Sequence, residues 1–215
     1  MLYMVTGGCG SGKSEYAERI LMAANMKRKY YVATMEVYGE EERTKVTRHR
    51  KLRDGKGFFT IERTRNLAGI VLGQEEKQAW GKESNPNERA VLVECLSNLV
   101  ANELFSDAGG TQKESGKPDS FFLREKAFWQ IINGIHSLKS QCGLLVLVTN
   151  EVSLDGIDYG SETNQYIGLL GEINCCLARM ADKAVEVVYG IPVLFGAENP
   201  IAGIPKARAD ISRVI

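Results

Sequence analysis

Short apolar runs alternate with stretches of helical spacing along most of the chain. Leu2-Tyr3-Met4-Val5, Lys29-Tyr30-Tyr31-Val32-Ala33-Thr34, Ala90-Val91-Leu92-Val93-Glu94 and Leu144-Leu145-Val146-Leu147-Val148-Thr149 read as strands. The last of these is the most apolar unbroken run and predicts a central strand. Residues 58–62 and 184–189 add two more strands. Gly190-Ile191-Pro192 then turns the chain into Val193-Leu194-Phe195, an antiparallel hairpin partner. The intervening segments predict helices over 14–26, with Tyr16, Ile20 and Leu21 on the apolar side, and over 40–53, 96–105, about 119–140 and 162–180. A short helix over 66–72 is also expected, and a polar stretch over 74–89 with a loop at 84–87. Strands alternating with helices predict an α/β fold. It is a mostly parallel, doubly wound sheet with an antiparallel edge strand or hairpin. No internal repeat or domain boundary is visible. Residues 1–195 read as one catalytic domain and 196–215 as a C-terminal extension.

Composition narrows the class. A chain of 215 residues suits one domain with a substantial core. Lys plus Arg and Asp plus Glu each number 27, so the basic excess of a nucleic-acid binder is missing. No apolar run approaches the roughly 20 residues of a membrane span. No secretory leader is read at the start, where the chain enters a strand directly. The five cysteines, Cys9, Cys95, Cys142, Cys175 and Cys176, form no C-x-x-C pair or zinc spacing. Reduced thiols in a cytoplasmic protein are expected.

The first strand runs into Gly7-Gly8-Cys9-Gly10-Ser11-Gly12-Lys13-Ser14, which matches G-x-x-x-x-G-K-[ST] in full. Glycines let several backbone N–H groups converge on phosphate oxygens, and the following helix start adds partial positive charge. Lys13 would reach the β- and γ-phosphates, and the Ser14 hydroxyl would enter a Mg²⁺ shell. The loop at the first strand-to-helix junction makes the expected fold a P-loop, RecA-like one.

Further candidates stand at strand ends, where ligands of open α/β sheets bind. Thr34 can face the nucleotide crevice. Glu94 reads either as a carboxylate near Mg²⁺ or as one satisfied by backbone donors. Between these strands, residues 40–53 put three acids ahead of a dense basic half. There Lys45, Arg48, Arg50, Lys51 and Arg53 surround His49. On a helix, Lys45 and Arg53 share the face of His49. His49 reads as a surface histidine or as a neutral imidazole nucleophile beside phosphate-binding cations. His136, in a largely apolar helix, reads as structural.

Taken in order, several motifs resemble one family. They are the loop, Ala33-Thr34, His49-Arg50-x-x-Arg53, Thr60-x-Glu62, Leu92-Val93-Glu94-Cys95-Leu96, Val148-Thr149-Asn150-Glu151-Val152, Asn174, Ala181-Asp182 and Gly190-Ile191-Pro192. The family is the bifunctional adenosylcobinamide kinase/adenosylcobinamide-phosphate guanylyltransferase of cobalamin biosynthesis. The resemblance implies two transferase reactions. ATP or GTP phosphorylates the aminopropanol hydroxyl of adenosylcobinamide. GTP then donates GMP to the product through a guanylylated histidine, at the position of His49. It also implies nucleotide contacts from Arg50, Arg53 and Glu62, with Glu62 holding guanosine or orienting the His49 segment. Glu151 is expected to line the corrinoid crevice. A homotrimer with shared active sites is implied as well.

The chain departs from the family pattern in places. The family's Gly-x-Gly-Ile-Val-Pro after Val-Thr-Asn-Glu-Val is replaced by Ser153-Leu154-Asp155-Gly156-Ile157-Asp158-Tyr159. Its Arg-x-x-Arg-Asp becomes Asn164-Gln165-Tyr166-Ile167-Gly168. Two alternatives therefore stand beside the bifunctional enzyme: a P-loop kinase without guanylyltransferase activity, and an inactive nucleotide-binding subunit.

Overall fold

A computed structural model describes residues 1–36, 39, 55–105, 120–152 and 156–195. The expected helix over 40–53 and the extension over 196–215 lie outside the described residues.

Seven strands form one sheet in the order β3-β2-β4-β5-β1-β6-β7. They are β1 (Leu2–Thr6), β2 (Arg28–Ala33), β3 (Phe58–Glu62), β4 (Arg89–Glu94), β5 (Leu144–Val148), β6 (Lys183–Val188) and β7 (Ile191–Phe195). The pairings of β1 through β6 are parallel, and β7 runs antiparallel to β6. The apolar run at 144–148 is the middle strand, buried along its whole length, as a parallel strand covered on both faces must be.

Strand alternation sorts the core into two clusters. Tyr31, Leu92, Val146, Val148 and Val185 face helix α1 (Lys13–Ala23). Tyr30, Val91, Val93, Leu145 and Leu147 face the other side. That side is covered by α3 (Leu96–Phe105), α4 (Ser120–Ser140) and α5 (Ser161–Met180). None of the described helices is long and apolar enough to cross a membrane.

Three local expectations are refined or corrected. On α1 the buried residues are Lys13, Ala17 and Leu21, an i, i+4 row. Tyr16 and Ile20 sit half-buried at its flank, packed against the same core cluster, so the apolar side expected there holds and Lys13 and Ala17 extend it. The polar stretch over 74–89 contains a helix, α2 (Gln74–Trp80), bounded by Gly73 and Gly81. It forms around a buried acid, Glu76, that the polar composition masked. His136 is exposed on the outer side of α4, although Ile132 and Ile135 beside it are buried.

Candidate active site at the carboxyl edge of the sheet

The loop between β1 and α1 is shaped by contacts that only glycine permits. Gly7 has φ 150°, and a Cβ there would lie 2.5 Å from the Val187 carbonyl oxygen and 2.7 Å from Ser11 Oγ. Gly12 caps α1 in the left-handed region at φ 91°. Gly8, Cys9 and Gly10 are exposed at the loop's crest. Lys13 is buried, and its Nζ donates to the Gly8 carbonyl at 2.9 Å. The ammonium is thereby folded back over the loop it would share with a phosphate. Ser14 is half-buried on the first turn of α1. Among the described residues, Ser11 Oγ is buried without a hydrogen-bond partner.

Glu94 ends β4, two strands from β1 across β5, hence about 10 Å away at the usual strand spacing. In register it lies beside Ala33, which in turn lies beside Glu62. In-register residues of adjacent strands share a face, and Ala33 belongs to the α1 side. Glu62, Ala33 and Glu94 therefore form a row on the face that carries Lys13. Glu94 is half-buried, and its Oε2 accepts from the Tyr31 hydroxyl at 2.6 Å. Glu62 is exposed on the outermost strand, about 19 Å from β1 by strand count. The Glu94–Cys95 peptide is cis.

Thr34 is fully buried. Its N–H donates to the Glu94 carbonyl at 3.0 Å and its hydroxyl to the Cys95 carbonyl at 2.7 Å. Asn102 of α3 donates its amide to the carbonyls of Thr34 and Thr64. Thr34 thus locks the ends of β2 and β4 together. His49, Arg50 and Arg53 lie outside the described residues.

The Val148-Thr149-Asn150-Glu151 segment leaves β5 between Glu94 and the loop. The Glu151 N–H donates to the Gly7 carbonyl at 3.3 Å, tying β5's exit to the loop. Thr149 is buried, its hydroxyl 2.8 Å from Asn174 Oδ1, while the Asn174 amide donates to the Asn150 carbonyl. Asp182 accepts from the Leu2 N–H at 2.7 Å and fixes the start of β1. Asn174 and Asp182 therefore brace the sheet beneath the site.

Three residues of this region were not singled out from the sequence. Tyr31 orients Glu94. Ser97, at the start of α3, meets Cys95 Sγ at 2.9 Å and accepts from the Asn150 amide at 2.6 Å. Tyr166 of α5 also hydrogen-bonds Ser97. Burial, then the neighbouring Cys95, pushes the Tyr166 phenol up. Burial likewise pushes the Cys95 thiol up, although its hydrogen bond to Ser97 opposes this. Burial thus favours the neutral form of both groups. Strand parity could have flagged Tyr31, because it shares a face with Ala33. Ser97 and Tyr166 carry no local signal, since they meet only through tertiary contact.

The cobinamide kinase/cobinamide phosphate guanyltransferase (CobU) family profile matches residues 3–195 of this chain. The chain belongs to the CobU family. It is 32% identical over 198 residues to a bifunctional adenosylcobalamin biosynthesis protein of Escherichia coli K12, covering 90% of this chain and 98% of that one. It is 28% identical to the Salmonella typhimurium protein of the same name, over 90% and 98% of the two chains. The similarly named protein of Pseudomonas aeruginosa is 24% identical, over 94% and 98%. In CobU terms, the phosphate loop, the β4 carboxylate and the Asn150 corner are all held at one edge of the sheet.

Proposed function

We infer that this chain carries both activities of its family, as a kinase and a guanylyltransferase in cobalamin biosynthesis. The observation that carries the reading is the placement of Lys13, Ser14 and Glu94 on one face and one edge of the sheet, in a chain that matches the CobU family from 3 to 195.

In the kinase step, Gly7 to Ser14 would hold the β- and γ-phosphates of ATP or GTP. The cobinamide hydroxyl oxygen attacks the γ-phosphorus and releases its proton to solvent, the bond to the β–γ bridging oxygen breaks, and a nucleoside diphosphate leaves. Lys13 neutralises charge on the phosphoryl oxygens as they separate. Its bond to the Gly8 carbonyl marks it as a cation already aimed into the loop.

Mg²⁺ fits the donors present. Among the described residues there is no cluster of three or more His, Cys, Asp or Glu that could hold a metal. Mg²⁺ does not need one, because it keeps several waters and draws on a carboxylate plus substrate phosphates. Ser14 and Glu94 would supply the protein's share. Held by them, the ion would supply charge neutralisation for the phosphate oxygens. Thr34 positions Glu94 through the backbone. Glu62 serves the guanosine end or the His49 segment.

In the guanylyl step, an imidazole nitrogen of His49 attacks the α-phosphorus of GTP. The α–β anhydride breaks and pyrophosphate leaves. A phosphate oxygen of cobinamide phosphate then displaces the histidine and forms the product diphosphate. Support for His49, Arg50 and Arg53 comes from the sequence motif. A homotrimer, with 196–215 as an extension beyond the catalytic domain, completes the reading. The apolar, exposed outer strand β7 supports self-association.

The test is incubation with GTP labelled at the α-phosphate. A covalent label that is acid-labile, alkali-stable and lost in His49→Ala is expected. No label at saturating GTP and Mg²⁺, with cobinamide phosphorylation intact, would leave a kinase alone.

A further inference from the structure

Asn150 stands two residues past the end of β5. That strand lies between β1, which runs into the phosphate loop, and β4, which ends in Glu94. The ladders flanking β5 stop at Val5 with Val148 on one side and at Val93 with Leu147 on the other. Asn150 is beyond both, with a strand about 5 Å to either side. Its backbone is nevertheless fixed. The Thr149 N–H donates to the Val5 carbonyl at 2.9 Å, the Glu151 N–H to the Gly7 carbonyl at 3.3 Å, and the Asn174 amide to the Asn150 carbonyl at 3.3 Å.

The side chain is pinned at one atom. Asn150 Nδ2 donates to Ser97 Oγ at 2.6 Å, and Ser97 is buried against Cys95 Sγ at 2.9 Å. A carboxamide has two N–H donors and an oxygen with two lone pairs. Ser97 takes one donor. Among the described residues, the other donor and Oδ1 have no hydrogen-bond partner. Asn150 is half-buried, so this capacity is open to a ligand. A phosphoryl group held between Lys13 and Glu94 lies over the exit of β5, whichever way its nucleoside points.

We propose that Asn150 is a catalytic residue of the kinase step, whose Oδ1 accepts the hydrogen of the acceptor hydroxyl and aims the hydroxyl oxygen at the γ-phosphorus. Phosphoryl transfer depends mostly on positioning and on charge stabilisation. A neutral amide suits the first task, since it orients the hydroxyl without adding negative charge beside the phosphates. It takes no proton. The hydroxyl's proton leaves to solvent as the new O–P bond forms and the bond to the β–γ bridging oxygen breaks. The proposal rests on the kinase reading of this crevice, and its test separates the two.

Cobinamide phosphorylation by Mg²⁺-ATP is followed for the full chain and for Asn150→Ala, Ser97→Ala and Ser97→Thr. ATP affinity is measured by calorimetry without cobinamide, and Tm by thermal unfolding. In Asn150→Ala, kcat is expected to fall about 10²-fold, while ATP affinity and Tm stay near wild type. Ser97→Ala frees the amide to rotate and gives a smaller loss of kcat, which Ser97→Thr restores by keeping the hydroxyl. Wild-type kcat in Asn150→Ala overturns the assignment. So does a loss of ATP affinity equal to the loss of kcat, which makes Asn150 a nucleotide contact. A fall in Tm that tracks kcat across the three variants also overturns it and makes the cluster structural. Wild-type protein that binds ATP yet phosphorylates no cobinamide overturns the kinase reading and the assignment with it.

Discussion

Tyr30 and Tyr31 are neighbours on one strand, both are buried, and each donates its hydroxyl to a carboxylate. Tyr30 meets Glu76 at 2.5 Å and Tyr31 meets Glu94 at 2.6 Å. What differs is what else each acid has. Glu76 also receives the Ser84 N–H, the Ser84 hydroxyl and Arg89 Nε, and it is fully buried. Glu94 is half-buried and receives one side-chain hydrogen bond among the described residues. Strand alternation makes the difference, by sending Tyr30 to one face and Tyr31 to the other. On one face the acid is saturated and serves the fold. On the other it is oriented yet keeps lone pairs for a ligand. A polar group with spare capacity at a sheet's carboxyl edge is the physical mark of a site, whereas a saturated one deeper in the molecule marks structure.

The comparison breaks most visibly at Glu76. Glu76→Ala leaves the buried Arg89 guanidinium without a close counter-charge: the Ser84 hydroxyl remains at 3.1 Å and Glu83 lies 4.0 Å away. Leaving a buried charge unpaired costs about 3–5 kcal/mol. Urea unfolding should show that loss in the absence of nucleotide, and a loss below about 1 kcal/mol would contradict the saturated-network account. Glu94→Gln should do the reverse. Kinase turnover is expected to fall about 10²- to 10³-fold, the scale for removing one electrostatic group from a transition state. Its unfolding midpoint should stay near wild type, since Gln still accepts from Tyr31. Unchanged turnover would remove Glu94 from the chemistry.

The two tyrosines allow a finer, crossed test. Each Tyr→Phe change deletes one hydrogen bond to a carboxylate, worth about 1.5–3 kcal/mol. Tyr30→Phe should appear mainly in stability, because it also removes the acceptor of the Gly73 N–H. Tyr31→Phe should appear mainly in kcat, with KM for nucleotide nearly unchanged, because Glu94 loses its orientation while the loop keeps its grip. If both variants respond alike in both measurements, the division between the faces is wrong.

The sequence carried the sheet and the loop because both rest on local signals. The apolar runs at 2–5, 90–93 and 144–148 are long enough to be strands, and G-x-x-x-x-G-K-S forces its own backbone shape. The position of Glu94 at the end of a strand was legible too. The helix over 74–80 was not, because its anchor is an acid that reads as polar surface until Tyr30, Ser84 and Arg89 converge on it from distant positions. The buried face of α1 was read only in part for a related reason. Tyr16 and Ile20 are the more apolar residues, yet the helix is set down by the loop, whose Lys13 must turn inward and takes Ala17 and Leu21 with it.

The smallest expected effect is a pH dependence confined to the closed network. Burial by itself pushes the Glu76 carboxyl up, but hydrogen bonds from Tyr30 and Ser84 and the charge of Arg89 outweigh it and hold it below its ordinary value of 4.5. A folded-state pKa below the unfolded one means that the unfolded chain binds more protons in this window. The stabilisation is therefore complete above the unfolded pKa and is lost as pH falls through the folded one. Wild-type stability should slope downward from about pH 4.5 into more acidic buffer. In Glu76→Gln the side chain no longer titrates, so that variant should be less stable at neutral pH and its curve shallower below pH 4.5. The quantity to measure is the difference between the two urea-derived stabilities at each pH. It should shrink steadily on acidification, and a constant difference from pH 6 to 3.5 would mean that other carboxylates, not Glu76, set the acid response.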